Sequence, residues 1–187
     1  MAQRQVVKDH IRQSILDAAA TLLITRGDSA IMSELADAAG VGRATLYRYF
    51  STREELMSAL AHAAIDDASA RLEAADLDRV PVTEAIARIF RAILACGAKF
   101  EFIRAQHEFI DKDDVDRRIG EPIRSVIQRG MTDGTLRSDV PLEVLSNLFG
   151  GMIFGASRTL PYLENGVERA SAIATETLLK GLSSSAE

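Results

Sequence analysis

Arg43, Thr45, Tyr47, Arg48 and Tyr49 crowd charged and hydroxylic side chains into the short stretch GRATLYRYF, whose large apolar members are Leu46 and Phe50. At helical spacing, Leu46 anchors this stretch on one side and Phe50 closes it. Arg43, Ala44, Thr45, Tyr47, Arg48 and Tyr49 are left on the remaining face. Guanidinium and hydroxyl groups donate to base edges or phosphates, and threonine and alanine methyls pack on thymine methyls. The chemistry on offer is groove recognition of a nucleic acid.

Such a helix has to be aimed. Leu35, Ala36 and Ala39 form an apolar face just upstream. Ala36 is small enough for two helices to cross closely, and Gly40 supplies the left-handed backbone that ends one helix and turns sharply into the next. Val41 can plug the corner. Helix-turn-helix units present their second helix to the major groove in this way. A plain helical hairpin that binds nothing has the same local pattern. Downstream, Thr52-x-x-Glu55 has capping-box spacing, and Ser51-x-x-Glu54 offers an alternative one residue earlier. Arg53 adds positive charge at that helix start, where free N–H groups attract phosphate. Upstream, Ile11, Ile15, Ala18, Ala19 and Leu22 make a helical stripe that Gly27 stops.

In order and spacing, Arg12-x-x-Ile15-Leu16-x-Ala18-Ala19-x-x-Leu22, Gly27, Leu35-Ala36-x-Ala38-Ala39-Gly40-Val41 and Thr45-Leu46-Tyr47-x-Tyr49-Phe50-x-x-Arg53-Glu54-Glu55-Leu56 resemble the amino-terminal domain of the tetracycline-repressor (TetR) family. The resemblance covers about the first 60 residues. It implies an all-helical homodimer that represses transcription from a palindromic operator and is released by a small ligand. By matching positions, Arg43, Ala44, Thr45, Tyr47, Arg48 and Tyr49 would lie in or beside the major groove, and Arg53 stands where the family usually has a phosphate-contacting Lys. One position departs from the pattern. Ile31 stands where the family commonly has a threonine that caps the second helix and touches phosphate, so Ser33 or Ser29 is expected to take over. Leu23 replaces a common Phe, a bland core exchange.

Charge supports a local interface. Residues 1–53 hold 7 Lys/Arg and 5 Asp/Glu, while the whole chain of 187 residues carries a formal net charge of −5. An acidic protein does not coat DNA indiscriminately; affinity has to come from Lys8, Arg12, Arg43, Arg48 and Arg53. A single cysteine, Cys96, rules out an internal disulfide and fits a reducing cytoplasm. MAQRQVVKDHIRQ lacks an apolar signal-peptide region, and the apolar stretch 144–156 is too short to span a bilayer. No metal, cofactor or catalysis is expected: His10, His62 and His107 have no ligand spacing, Gly150-Gly151 follows no strand, and Cys96 has no base nearby in sequence.

The expected architecture is all-α, with about nine helices. Residues 1–53 form a three-helix DNA-binding domain and residues 54–187 a helical ligand-binding and dimerisation domain. Helices are expected over 52–76, 82–98, 100–110, 115–132, 141–163 and 166–182, with a loop at Asp76–Pro81. Two groups of residues in the second domain have functional readings. Phe90, Leu94, Phe100, Ile103, His107, Met131, Phe149, Met152 and Tyr162 could line an apolar effector pocket with a few polar groups, although aromatics at helical spacing are more often core. Gly151 and Gly155, with Leu148, Met152, Ile173 and Leu178, could form a close helix contact across a homodimer; the alternative is tight packing inside one chain. Beside a ligand-gated repressor stand two other readings, a DNA-binding dimer without a small ligand and an all-helical interaction module.

Overall fold

The computed structural model describes residues 2–97, 99, 100, 102 and 109–182, and among them there is no strand. Two compact units form, Met1–Asp66 with Ala98–Asp111, and Asp67–Gly97 with Lys112–Glu187.

The first unit holds α1 (Ala2–Arg26), a 3-10 turn (Gly27–Ser29), α2 (Met32–Ala38), α3 (Arg43–Tyr49) and the first part of α4 (Arg53–Ala74). The buried stripe of α1 is Ile15, Leu16, Ala19, Ala20 and Leu23, turned by about one residue from the expected one, so that Leu22 is only half-buried. Gly27 ends α1 with a φ of +59°. Leu35, Ala36, Leu46 and Phe50 close on this stripe, with Leu56, Met57 and Leu60 of α4. Those α4 residues explain why the first unit extends past residue 53: Arg53 starts an element, but the packed division falls at Asp66–Asp67.

The second unit is built round α5 (Val82–Leu94), whose Val82, Ile86, Ile89, Phe90, Ile93 and Leu94 are all buried. Gly97 follows it in a left-handed turn at φ +55°. On α5 pack α7 (Glu121–Asp133), α8 (Leu142–Ser157) and, most extensively, α9 (Gly166–Leu182). Phe90 stacks on Phe149 with ring centroids 5.1 Å apart. A 3-10 turn at Leu160–Tyr162 ends the expected 141–163 helix early. The expected 115–132 helix is also interrupted. α6 (Lys112–Val115) passes into a π turn, Asp116–Gly120, before α7. Pro122 has no N–H to return to Arg118, and Arg124 grips Asp116 with two hydrogen bonds of 2.6 and 2.9 Å. Across the 76–80 loop, Arg129 donates to the carbonyls of Leu77 and Val80 at 2.9 and 3.0 Å.

Gly130 is a tight point of this core. A Cβ there would lie 2.8 Å from Leu136 Cγ and Cδ1 and 2.9 Å from Val82 Cγ1. Leu136 and Val82 are themselves buried, and valine is stiff at χ1. Overpacking of this kind costs about 1–3 kcal/mol, against a helix-propensity gain of up to about 1 kcal/mol for replacing glycine. Gly130→Ala should therefore lower the melting temperature by a few degrees in calorimetry, whereas an unchanged or raised value would show that the neighbours yield freely.

Candidate nucleic-acid interface

The corner between α2 and α3 closes on its own backbone. Gly40 takes φ +64°. Its N–H donates to Asp37 O at 3.1 Å, and Val41 N–H donates to Ala36 O at 3.0 Å. This pair of bonds is the Schellman arrangement, which requires a left-handed residue at the glycine. After it, Gly42 O receives the N–H groups of Thr45 and Leu46 at 2.8 and 3.0 Å, starting α3.

Leu46 and Phe50 fix the roll of α3, at 0% and 1% exposure. Arg43, Ala44, Tyr47 and Arg48 are exposed together on the opposite face, and Thr45 and Tyr49 are half-buried at its edges. The Arg48 guanidinium lies 5.7 Å from the centre of the Tyr49 ring, and Arg12 of α1 lies 5.4 Å from that of Phe50. The expected face of α3 is thus assembled as one surface.

The start of α2 differs from expectation. The residue at its N-cap is Ile31. Ser33 is half-buried inside the first turn, and the Ser29 hydroxyl donates to Arg26 O at 2.6 Å; neither serine caps α2. The Ile31 N–H instead reaches Glu34 Oε2 at 3.1 Å. That is the carboxylate half of a capping box, and isoleucine has no acceptor for the other half. Glu34 also lies 3.5 Å from Arg26. Arg53, expected to point at phosphate, is half-buried and donates through Nη1 to the Ala30 carbonyl.

At the start of α4 the structure selects the Thr52 register. Thr52 Oγ1 accepts from Glu55 N–H at 3.1 Å, while Glu55 Oε2 accepts from both the N–H and the hydroxyl of Ser51, each at 2.7 Å. The Ser51 hydroxyl, and after it the Ser51 N–H, hold the Glu55 carboxyl below the usual range.

The effector candidates divide. Phe90, Leu94 and Phe149 are core side chains of the second unit at 0–1% exposure, so they fill space. Met131 and Met152 are half-buried. Phe100 belongs to the first unit. Tyr162 is 86% exposed and lines no interior, because its 3-10 turn carries it outward. Ile103 and His107 lie outside the described residues. A cleft of about 460 Å³ in the second unit is lined by none of the nine. Its floor is Leu72, Leu77 and Pro122, and its walls include Glu73, Asp76, Asp78, Arg79, Arg117 and Arg118. The left-handed Asp76 and the π turn that shape it leave no periodic signal in the sequence.

Among the interface candidates, Leu148 and Ile173 are exposed at 59% and 42%, Gly151 and Gly155 are exposed and Met152 is half-buried. A Cβ on Gly150, Gly151 or Gly155 would meet nothing within 4 Å. Among the described residues, these glycines therefore serve no packing inside the chain. Leu178, at 2% exposure, does, and is not available to a partner.

No helix among the described residues is long and apolar enough to cross a membrane, and no group of His, Cys, Asp or Glu among them could hold a metal ion. Residues 15–60 match the model of the bacterial regulatory proteins of the tetR family. The transcriptional repressor LfrR of Mycolicibacterium smegmatis is 36% identical over 96 residues, 51% of this chain and 50% of LfrR, so the match spans about half of that relative. The transcriptional regulator NfxB of Pseudomonas aeruginosa is 28% identical over 148 residues, 76% of this chain and 79% of NfxB. In fold, the chain is similar to LfrR from Mycobacterium smegmatis in complex with proflavine, with a TM-score of 0.75, 24% identity and coverage of 95% of this chain and 99% of that one. With the corner at Gly40 and the outward face of α3 in place, these matches agree on one conclusion: residues 15–60 form the amino-terminal domain of the bacterial tetR regulatory proteins, and the chain shares the fold of LfrR.

Proposed function

We propose that this protein is a transcriptional repressor that binds duplex DNA as a homodimer and is released by a small, largely apolar effector. The observation that carries the reading is the outward face of α3, with Arg43, Ala44, Tyr47 and Arg48 exposed together over buried Leu46 and Phe50. Thr45 and Tyr49 flank that face. Arg43, Thr45 and Tyr47 are assigned to base edges and methyls, and Arg48 to phosphate. The protein acts where its operator lies, in the cytoplasm.

The dimer reading rests on the open side of α8. Val144, Leu148, Gly151 and Gly155 follow one another at helical spacing, all exposed, beside the exposed Ile173 of α9. Glycine inside a helix costs about 1 kcal/mol relative to alanine, and among the described residues nothing offsets that cost here. A second backbone brought close by a two-fold axis would. The effector reading is supported by the proflavine bound to LfrR. The cleft over Leu72, Leu77 and Pro122 is one place in the second unit with room for such a molecule, and its volume lies in the range of ligand sites; a wider, more open cleft between Arg71, Arg88, Arg91 and Glu168 is another.

Duplexes selected from a random pool should carry half-sites related by a dyad and spaced by helical turns. Arg48→Ala should flatten the salt dependence of binding by about 0.9 in log–log slope for each phosphate it no longer neutralises, and Arg43→Ala should change the preferred bases at constant slope. A selection without a dyad would sink the operator reading. Gly155→Leu should leave the isolated chain folded by circular dichroism, yet sediment as a monomer with weakened operator binding; a stable dimer that still binds would remove the glycine face from the interface. An effector found by screening aromatic compounds, proflavine included, should weaken operator binding by the same factor by which operator weakens its own binding. If no compound shifts both melting and operator affinity, the chain is a DNA-binding dimer without a small ligand.

A further inference from the structure

The seven residues of α2 are too few to hold a helix without help at both ends. The far end has the Gly40 turn. The near end has Ile31, whose side chain is 59% exposed and accepts nothing. Two charged groups fill the gap. Glu34 takes the Ile31 N–H at 3.1 Å and is held in turn by Arg26 at 3.5 Å. Arg53, from the start of α4, donates to the carbonyl of Ala30, a residue at 1% exposure whose N–H is already given to Gly27 O at 3.3 Å. A buried carbonyl needs a partner, and the Arg53 guanidinium supplies one from 23 residues away. The link Ala30–Ile31 is thus clasped from both sides, by a carboxylate on its N–H and a guanidinium on its C=O.

This clasp sets the direction in which the corner points. α3 follows α2 after four residues, and its position depends on Leu46, Phe50 and the axis of α2. We propose that Glu34 and Arg53 are positioning residues for DNA recognition, which aim α2 and α3 by fixing the Ala30–Ile31 backbone and do not act through phosphate. The proposal rests on the DNA-binding reading above. It reverses the expectation that electrostatics alone sets for Glu34, because removing a carboxylate beside a polyanion should tighten binding.

The test uses the full chain and a duplex selected with the wild-type protein, so that failure of the DNA-binding reading shows in the wild type. Glutamine keeps the acceptor and the reach without the charge. Aspartate keeps the charge and loses the reach. Glu34→Gln should bind within about 2-fold of wild type, while Glu34→Asp and Glu34→Ala bind roughly 3- to 30-fold more weakly, the span expected for removal of a cap. Arg53→Ala should weaken binding at an unchanged salt slope, where a side chain that neutralised a phosphate would lower the slope by about 0.9 on removal. Exchange of the Glu34 and Leu35 amides, which bond Ile31 O at 3.0 and 3.1 Å, should quicken in Glu34→Asp and in Arg53→Ala. Circular dichroism at the assay temperature confirms folding, and Glu34→Asp decides the matter if Glu34→Ala does not fold. The proposal is overturned if Glu34→Asp binds like wild type, if Glu34→Gln is as weak as Glu34→Asp, or if Arg53→Ala flattens the salt slope.

Discussion

A corner of four residues between two seven-residue helices must satisfy its own backbone hydrogen bonds, and the recognition surface depends on that constraint. Neither α2 nor α3 is long enough to be stable alone. The corner succeeds because Gly40 accepts a left-handed conformation at little cost, so that two successive N–H groups turn back onto the carbonyls of Asp37 and Ala36. With the corner closed, Leu46 and Phe50 have one place to go, and the polar residues between them are driven outward. The outward face of α3 is therefore a by-product of burial, and its chemistry is free to vary without disturbing the core.

Much of this is legible in the residues. Gly40 announces its turn, Leu46 and Phe50 announce the buried side of α3, and the α5 stripe from Val82 to Leu94 is buried as its spacing requires. What escapes depends on side chains meeting backbone at a distance. Nothing in the spacing of Arg53 says that it will reach the carbonyl of Ala30. Ile31 is readable as a defect, and the hydroxyls of Ser29 and Ser33 are its obvious remedy, yet the remedy comes from the carboxylate of Glu34. The effector candidates pose a different problem. Apolar residues that line a space and those that fill it have the same periodicity, and only packing separates them, as it does for Phe90 on Phe149. Ile103 and His107 stay outside that comparison.

Glycines in the second unit illustrate two opposite demands. At Gly130 the absence of a side chain lets Leu136 and Val82 meet over α7, and the reason lies wholly inside the chain. At Gly150, Gly151 and Gly155 the same absence leaves bare backbone facing open space. One helix tolerates glycine because its neighbours press in. The other carries it with no neighbour, on a face that also exposes Val144 and Leu148. Sequence spacing alone treats the two cases alike.

The π turn between α6 and α7 has a bearing on how this segment can change over time. An α-helix advances by roughly 100° per residue, so one residue gained or lost within it would swing every later side chain to a new face. Between Asp116 and Gly120 the chain already holds a wider turn, locked by Arg124 across the bare Cα of Gly120. Such a turn acts as an expansion joint. Loss of one residue there could be absorbed by tightening to ordinary helix, leaving Val126, Ile127 and Gly130 on their buried side. Length variation among related chains is thus best accommodated at this joint, where it leaves the core of the second unit in register.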